Sequence, residues 1–166
     1  MSRDRSFKHD IELGITPPTN TWEELKEFAQ RGVEFGAHTK SHCNIGAITD
    51  PAELRNELLG SIEAVEAELE CRCRYFAFPF GRPENMSQAA ATMLSQRGMQ
   101  GFCSAYGALN WPGQNGFHIR RIHGDPGLER LKNWLTLDAR HLSDTNQLPF
   151  AEDVDYSNST RLTTNS

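Results

Sequence analysis

The segment HTKSH places two imidazoles, His38 and His42, four residues apart, a spacing that suits joint capture of a single cation. On a helical turn, residues so spaced lie on one side, so the spacing predicts a turn of helix here. The pair directly follows a short extended run, VEFGA, at 33–37. In parallel α/β folds, sites gather beyond the carboxyl ends of strands, where several loops converge. The same spacing also suits two histidines that face solvent or hydrogen-bond inside a core.

A second constellation is FAFPFG, Phe76 to Gly81. An apolar strand ending in Pro-aromatic-Gly implies a sharp turn at the same edge as the histidines. Pro79 has no N–H and Gly81 tolerates close approach, which leaves the N–H of Phe80 to face a pocket. A backbone donor so placed suits the oxyanion of a tetrahedral intermediate, although a plain strand-ending turn has the same sequence. The third constellation is FHIRRIHGDP, Phe117 to Pro126. By strand alternation His118, Arg120 and Ile122 share one face, and Ile119, Arg121 and His123 share the other. His123 stands at the strand's end, where a proton donor is useful. Arg120 reads as an ordinary surface or ion-paired residue.

Helices and strands alternate from Thr21 to about Leu137. Thr21 and Glu24 form a capping-box signature, followed by Trp22, Leu25 and Phe28 on one helical face and Gly32 as a stop. In the next helix Asp50 caps, Pro51 takes the first helical position and Glu53 completes the box. Leu54, Leu58, Ile62, Val65 and Leu69 then make an apolar stripe. The run at 75–78 is apolar on both faces, as in a buried parallel strand. A helix over 87–97, a strand over 100–105, a loop over 106–116, an extended run over 117–122 and a short helix over 128–135 complete the pattern. Repeated strand–helix units predict an α/β fold with parallel strands, and about four strands are too few to close a barrel of the usual size. The pattern stops near Ala139. The expected organisation is a domain over 1–138 and a polar, disordered tail over 139–166.

At 166 residues and 37% hydrophobic, the chain is long enough for one buried core. A net charge of -5, with Arg120-Arg121 as its densest basic run, argues against nucleic acid as a partner. No apolar run reads as a membrane span or secretory signal, so the expected location is cytoplasmic. Cys43, Cys71, Cys73 and Cys103 are spaced for neither a disulfide scaffold nor a four-thiolate zinc site and read as reduced thiols.

The order of the pieces is more informative than any one of them. A helix beginning TWEEL, then GVEFGAHTKSH, a long Leu/Glu-rich helix, FAFPFG and FHIRRI resembles the polysaccharide deacetylase (NodB-like) family, carbohydrate esterase family four, over roughly Thr21 to Leu135. HTKSH resembles that family's His-Ser/Thr-x-x-His motif, which implies His38 and His42 as metal ligands. FAFPFG resembles its third motif, which implies Phe80 as the backbone oxyanion donor, with Pro79, Gly81 and Arg82 lining the substrate. The implied fold is a distorted (β/α) barrel, here incomplete at the N-terminus. The implied chemistry is hydrolysis of N-acetyl or O-acetyl groups on carbohydrate. A divalent cation, commonly zinc, polarises the carbonyl and activates water, an aspartate serves as base and a histidine as acid. Cobalt and nickel suit the same donors.

The departures are specific. The family's Thr-Phe-Asp-Asp motif, source of the third ligand and the base, has no counterpart among the 37 residues before His38, where His9-Asp10 is a poor match. Ala77 stands where an arginine often orients the base, and Arg82 follows the turn instead. The closing Leu-x-His motif is also without a clean counterpart, so His123 is the candidate acid and His141 the weaker one. The expectation is a chain lacking the front of the domain, whose exposed strand edges invite self-association. Two further readings stay open: a non-catalytic relative that binds carbohydrate through the same cleft, and a metal-dependent amidohydrolase acting on a small amide.

Overall fold

The computed structural model describes residues 20–106, 110, 116–122 and 132. The expected helix over 128–135 apart from Lys132, most of the loop over 106–116, the tail over 139–166, and His9, Asp10, His123 and His141 lie outside the described residues.

Helix α1, Trp22–Gln30, begins where its local chemistry dictates. The Thr21 hydroxyl accepts from Glu24 N at 3.2 Å, and the Glu24 carboxylate accepts from Thr21 N at 2.8 Å. Its apolar stripe is less covered than its periodicity implies: Trp22 and Phe28 remain 43% and 41% exposed. Helix α2, Pro51–Leu69, is capped by Asp50, which accepts from Ala52 N at 2.9 Å. Glu53 returns no bond, so the cap is simple rather than reciprocal among the described residues. Leu54, Leu58, Ile62 and Leu69 of the predicted stripe are buried, and Val65 is half-buried. Helix α3, Gln88–Gln96, is capped by the Ser87 hydroxyl. Its Ala90, Ala91 and Leu94 face inward.

Among the described residues three parallel strands form the sheet: β1 Tyr75–Ala77, β2 Gly101–Ser104 and β3 His118–Arg120, in that order. Ala77 is level with Cys103, and Cys103 with Ile119. The predicted strand over 33–37 is reduced to one bridge, Ala37 to Phe76. There Ala37 N donates to Tyr75 O and Ala77 N to Ala37 O, at 3.1 and 2.8 Å. The chain before Ala37 forms no ladder, although Glu34 pairs with Arg74 just ahead of β1.

The two faces of the sheet differ. Phe76, Phe102, Ser104, His118 and Arg120 are buried on one side. Phe76, Phe78, Phe102 and Phe117 stack there edge to face, successive ring centroids 5.1 to 5.5 Å apart. Leu54, Leu58 and Ile62 of α2 and Leu94 of α3 close this core. On the other side Ala77, Cys103 and Ile119 line an open cavity of about 380 Å³ that His38 also borders. All four cysteines are free thiols. No helix among the described residues is long and apolar enough to cross a membrane.

Candidate metal centre and its surroundings

The bridge at Ala37 delivers His38 to the carboxyl end of β1, as the sequence implies. From there the chain departs from the predicted helical turn. Thr39 and His42 both take left-handed backbone, with φ of 62° and 57°, so residues 38–42 form an irregular bend. A β-branched residue rarely adopts that conformation. The bend nevertheless brings the imidazoles together, with ring centroids 4.9 Å apart and planes at 68°.

His38 Nδ1 lies 2.6 Å from the Ala77 carbonyl oxygen. A carbonyl only accepts, so Nδ1 carries the hydrogen and the lone pair of the neutral ring is on Nε2. This is the arrangement by which a second partner fixes the tautomer of a ligating histidine. Burial, opposed in part by the bond to Ala77, and then the charges of His42 and Arg121 hold the His38 pKa below the usual histidine value. The ring is therefore neutral near pH 7, the form in which it donates a lone pair.

The FPFG turn reaches the same place. Pro79 is fully buried, while Phe80 is 51% exposed and has a φ of 62°. Gly81 N donates to Pro79 O at 2.6 Å, closing a tight γ-turn around Phe80. The Phe80 ring meets His42 edge-on, centroids 5.2 Å apart. Its N–H has no acceptor among the described residues, which leaves a free backbone donor on a residue that touches His42. Arg82, next in the chain, is exposed, with a guanidinium nitrogen 3.9 Å from the Glu84 carboxylate. The two loops are also locked to each other. Short 3-10 turns follow each of them, at Ile45–Ala47 and Pro83–Asn85, and Gly46 packs so closely that an added Cβ would lie 2.0 Å from Glu84 O.

Sequence reasoning missed one residue here and left another without a role. Glu57, on α2, accepts hydrogen bonds from Lys40 N and Ser41 N, the backbone between the two histidines. Its signal was a carboxylate three residues after Leu54 and four before Ser61, both buried, on a face that otherwise turns inward. The other is Arg121, whose Nε and backbone N both donate to Ser104 O, at 3.0 and 3.2 Å. Its charge acts on His38 and on Cys103.

Strand β3 removes the surface half of one expectation. Arg120 is buried, 8% exposed, and Asn110 bonds its backbone N–H and C=O at 2.8 and 2.9 Å. His118 is buried beside it, stacked on Phe102 at 4.9 Å, with Nε2 2.8 Å from Ser104 Oγ. Burial first, then the Arg120 charge, pushes its pKa down to about 4. Between pH 6.5 and about 4 the unfolded chain therefore binds the proton that the folded chain refuses. Stability from this group is complete above pH 6.5 and is lost as pH falls toward 4, by up to about 3 kcal/mol. Urea unfolding at pH 7 and pH 4.5 should show a smaller drop for His118→Phe than for the native chain; equal drops would contradict this.

The pair His38 and His42 fits a divalent cation by donor chemistry, tautomer and separation. No cluster of three or more His, Cys, Asp or Glu suited to a metal occurs among the described residues. Comparison with known proteins agrees with the architecture. A polysaccharide deacetylase family model matches residues 9–102, more than half of the chain. A polysaccharide deacetylase from Bacillus cereus superposes with a TM-score of 0.56 at 19% identity, covering 73% of this chain and 38% of that one. A de-N-acetylase from Aggregatibacter actinomycetemcomitans superposes with a TM-score of 0.52 at 21% identity, covering 69% and 53%. A gellan lyase from Bacillus sp. is 29% identical over 133 residues, 76% of this chain and 5% of that protein. The chain thus spans a small part of that curated relative and about half or less of the two solved structures. Its parallel sheet with crossover helices is the partial counterpart of the deacetylase barrel, and the chain belongs to the polysaccharide deacetylase family.

Proposed function

We propose that this chain carries the cation-holding part of a hydrolase that removes acetyl groups from N-acetylated or O-acetylated carbohydrate. The observation that carries the reading is the convergence of three groups at one sheet edge. His38 Nε2 has no hydrogen-bond partner among the described residues, His42 lies beside it, and Phe80, whose N–H is unbonded among the described residues, rests its ring on the edge of His42. His38 and His42 hold a divalent cation, zinc being the first to test and cobalt and nickel the alternatives. When bound, the cation supplies Lewis-acid polarisation of the acetyl carbonyl and a more acidic water. The Phe80 N–H donates to the oxyanion that forms as the water oxygen attacks, the water's proton passing to a carboxylate base supplied from outside the described residues. Buried Pro79 and Gly81 hold that donor in place, and Arg82 borders the approach for substrate. His123 gives the proton to the leaving nitrogen or oxygen as the bond to the acetyl carbon breaks. Residues 1–138 are the partial deacetylase domain in this reading, and 139–166 a polar tail outside it. The lyase activity in the name of the Bacillus relative is not carried over, since this chain spans 5% of that protein.

Acetate release from chito-oligosaccharides and acetylated xylan, with zinc and with a chelator, tests the reading. Zinc-dependent release is expected, and His123→Asn should lower it by about 10²-fold or more. A chain that takes up zinc yet releases no acetate from either glycan overturns it. A second reading, a carbohydrate-binding module without catalysis, is favoured by one observation: no carboxylate joins the histidine pair among the described residues. Calorimetry separates the two, since binding of chito-oligosaccharide without zinc supports the module.

A further inference from the structure

We propose that Glu57 is the positioning residue of the cation site, a carboxylate clamp that holds the backbone of the HTKSH bend in the shape that pairs the two imidazoles. The inference rests on the reading of His38 and His42 as ligands and adds a residue 15 positions beyond His42 in the chain.

The bend is an unfavourable conformation on its own. Thr39 and His42 both sit in left-handed backbone, which is strained for any non-glycine residue. Such a segment persists only where its surroundings over-determine it. Between those two residues lie Lys40 and Ser41, and their N–H groups both donate to the same oxygen, Glu57 Oε2, at 2.9 and 3.0 Å. Hydrogen bonds to an ionised acceptor are about twice as strong as neutral ones. Burial opposes the charge on Glu57, but bonds from Ser41, Cys43 and Lys40 outweigh it and keep the carboxyl below its usual range. Lys40 Nζ adds a bond to Asn56 Oδ1 at 3.1 Å, one residue along the same helix. Helix α2 is anchored in the core by Leu54 and Leu58 on either side of Glu57. The clamp therefore ties the ligand loop to the longest helix of the fold. Glu57 touches no reacting atom in this scheme; it acts through the loop.

Cobalt titration of the full chain, followed by its visible absorption, tests the clamp on binding rather than turnover. Native chain, Glu57→Gln, Glu57→Asp and Glu57→Ala are compared, each checked for folding by circular dichroism. Supporting partners of metal ligands typically carry 10–100-fold in affinity, so Glu57→Ala should weaken cobalt binding by about that factor. Glu57→Gln keeps an acceptor oxygen and should recover much of the loss, whereas the shorter Asp should not. Folded Glu57→Ala that binds cobalt within about 2-fold of native overturns the clamp while leaving the cation site standing. If the native chain itself takes up no cobalt, the cation reading falls, and amide exchange at Lys40 and Ser41 decides the clamp. Faster exchange in Glu57→Ala at those two amides upholds it; unchanged exchange removes it.

Discussion

His38→Ala should weaken binding of zinc or cobalt by at least about 100-fold, near 2.7 kcal/mol, as read by competition with a chromophoric chelator. The size follows from what His38 contributes. Its Nδ1–H is held by the Ala77 carbonyl, so the ring is already oriented with Nε2 outward before any cation arrives. Little ordering cost remains to be met on binding. Burial keeps it neutral, so near pH 7 few protons compete for that lone pair. His42 is less constrained by hydrogen bonds, resting on its left-handed backbone and on the edge of Phe80. His42→Ala should therefore be costly as well, with the larger loss at position 38. The Ala77 oxygen left behind by His38→Ala sits on a strand and should leave the fold intact by circular dichroism. Equal affinities for native chain and His38→Ala would contradict this role.

Gly81→Ala should destabilise the fold by about 3 kcal/mol or more, measured by urea unfolding. Two costs add at this position. Gly81 has a φ of +66°, where an alanine loses roughly 1–2 kcal/mol. A Cβ built there would lie 2.5 Å from Ala105 N and 2.7 Å from Ala105 Cβ, so the loop after β2 must move. That movement breaks the bond from Ala105 N to Gly81 O, now 2.8 Å, worth about another 1 kcal/mol. The displacement also carries Phe80 away from His42, so any metal-dependent turnover should fall along with stability. A variant as stable as the native chain would show that the turn is looser than its close contacts imply.

Local chemistry was the readable part of this chain. Thr21 with Glu24, Asp50 with Pro51, and Ser87 each announced a helix start because the capping bond spans three residues or fewer. The stripe on α2 was readable because burial at helical spacing needs no knowledge of the partner. The two imidazoles do come together, but not by the geometry that their spacing implied. Spacing suggested a helical turn, whereas the conformation depends on a carboxylate 16 and 17 positions away in sequence, which periodicity does not report. The same limit explains the strand at 33–37. Its composition is extended, but a ladder needs a level neighbour, and β1 offers one only at Ala37. It also explains Arg120, whose place on the inner face of β3 followed from alternation while its burial followed from Asn110 and the aromatic column. The family resemblance carried further than either, because order and spacing of motifs survive where single-residue environments do not.

A single divalent cation shared by the rings at positions 38 and 42 underlies every functional step proposed for this chain. Cobalt titration of the native chain against the double variant His38→Ala/His42→Ala measures this directly. Saturation at one equivalent by the native chain, with no uptake by the folded double variant, is the predicted result. Uptake that is the same in both would contradict a shared cation at these two rings.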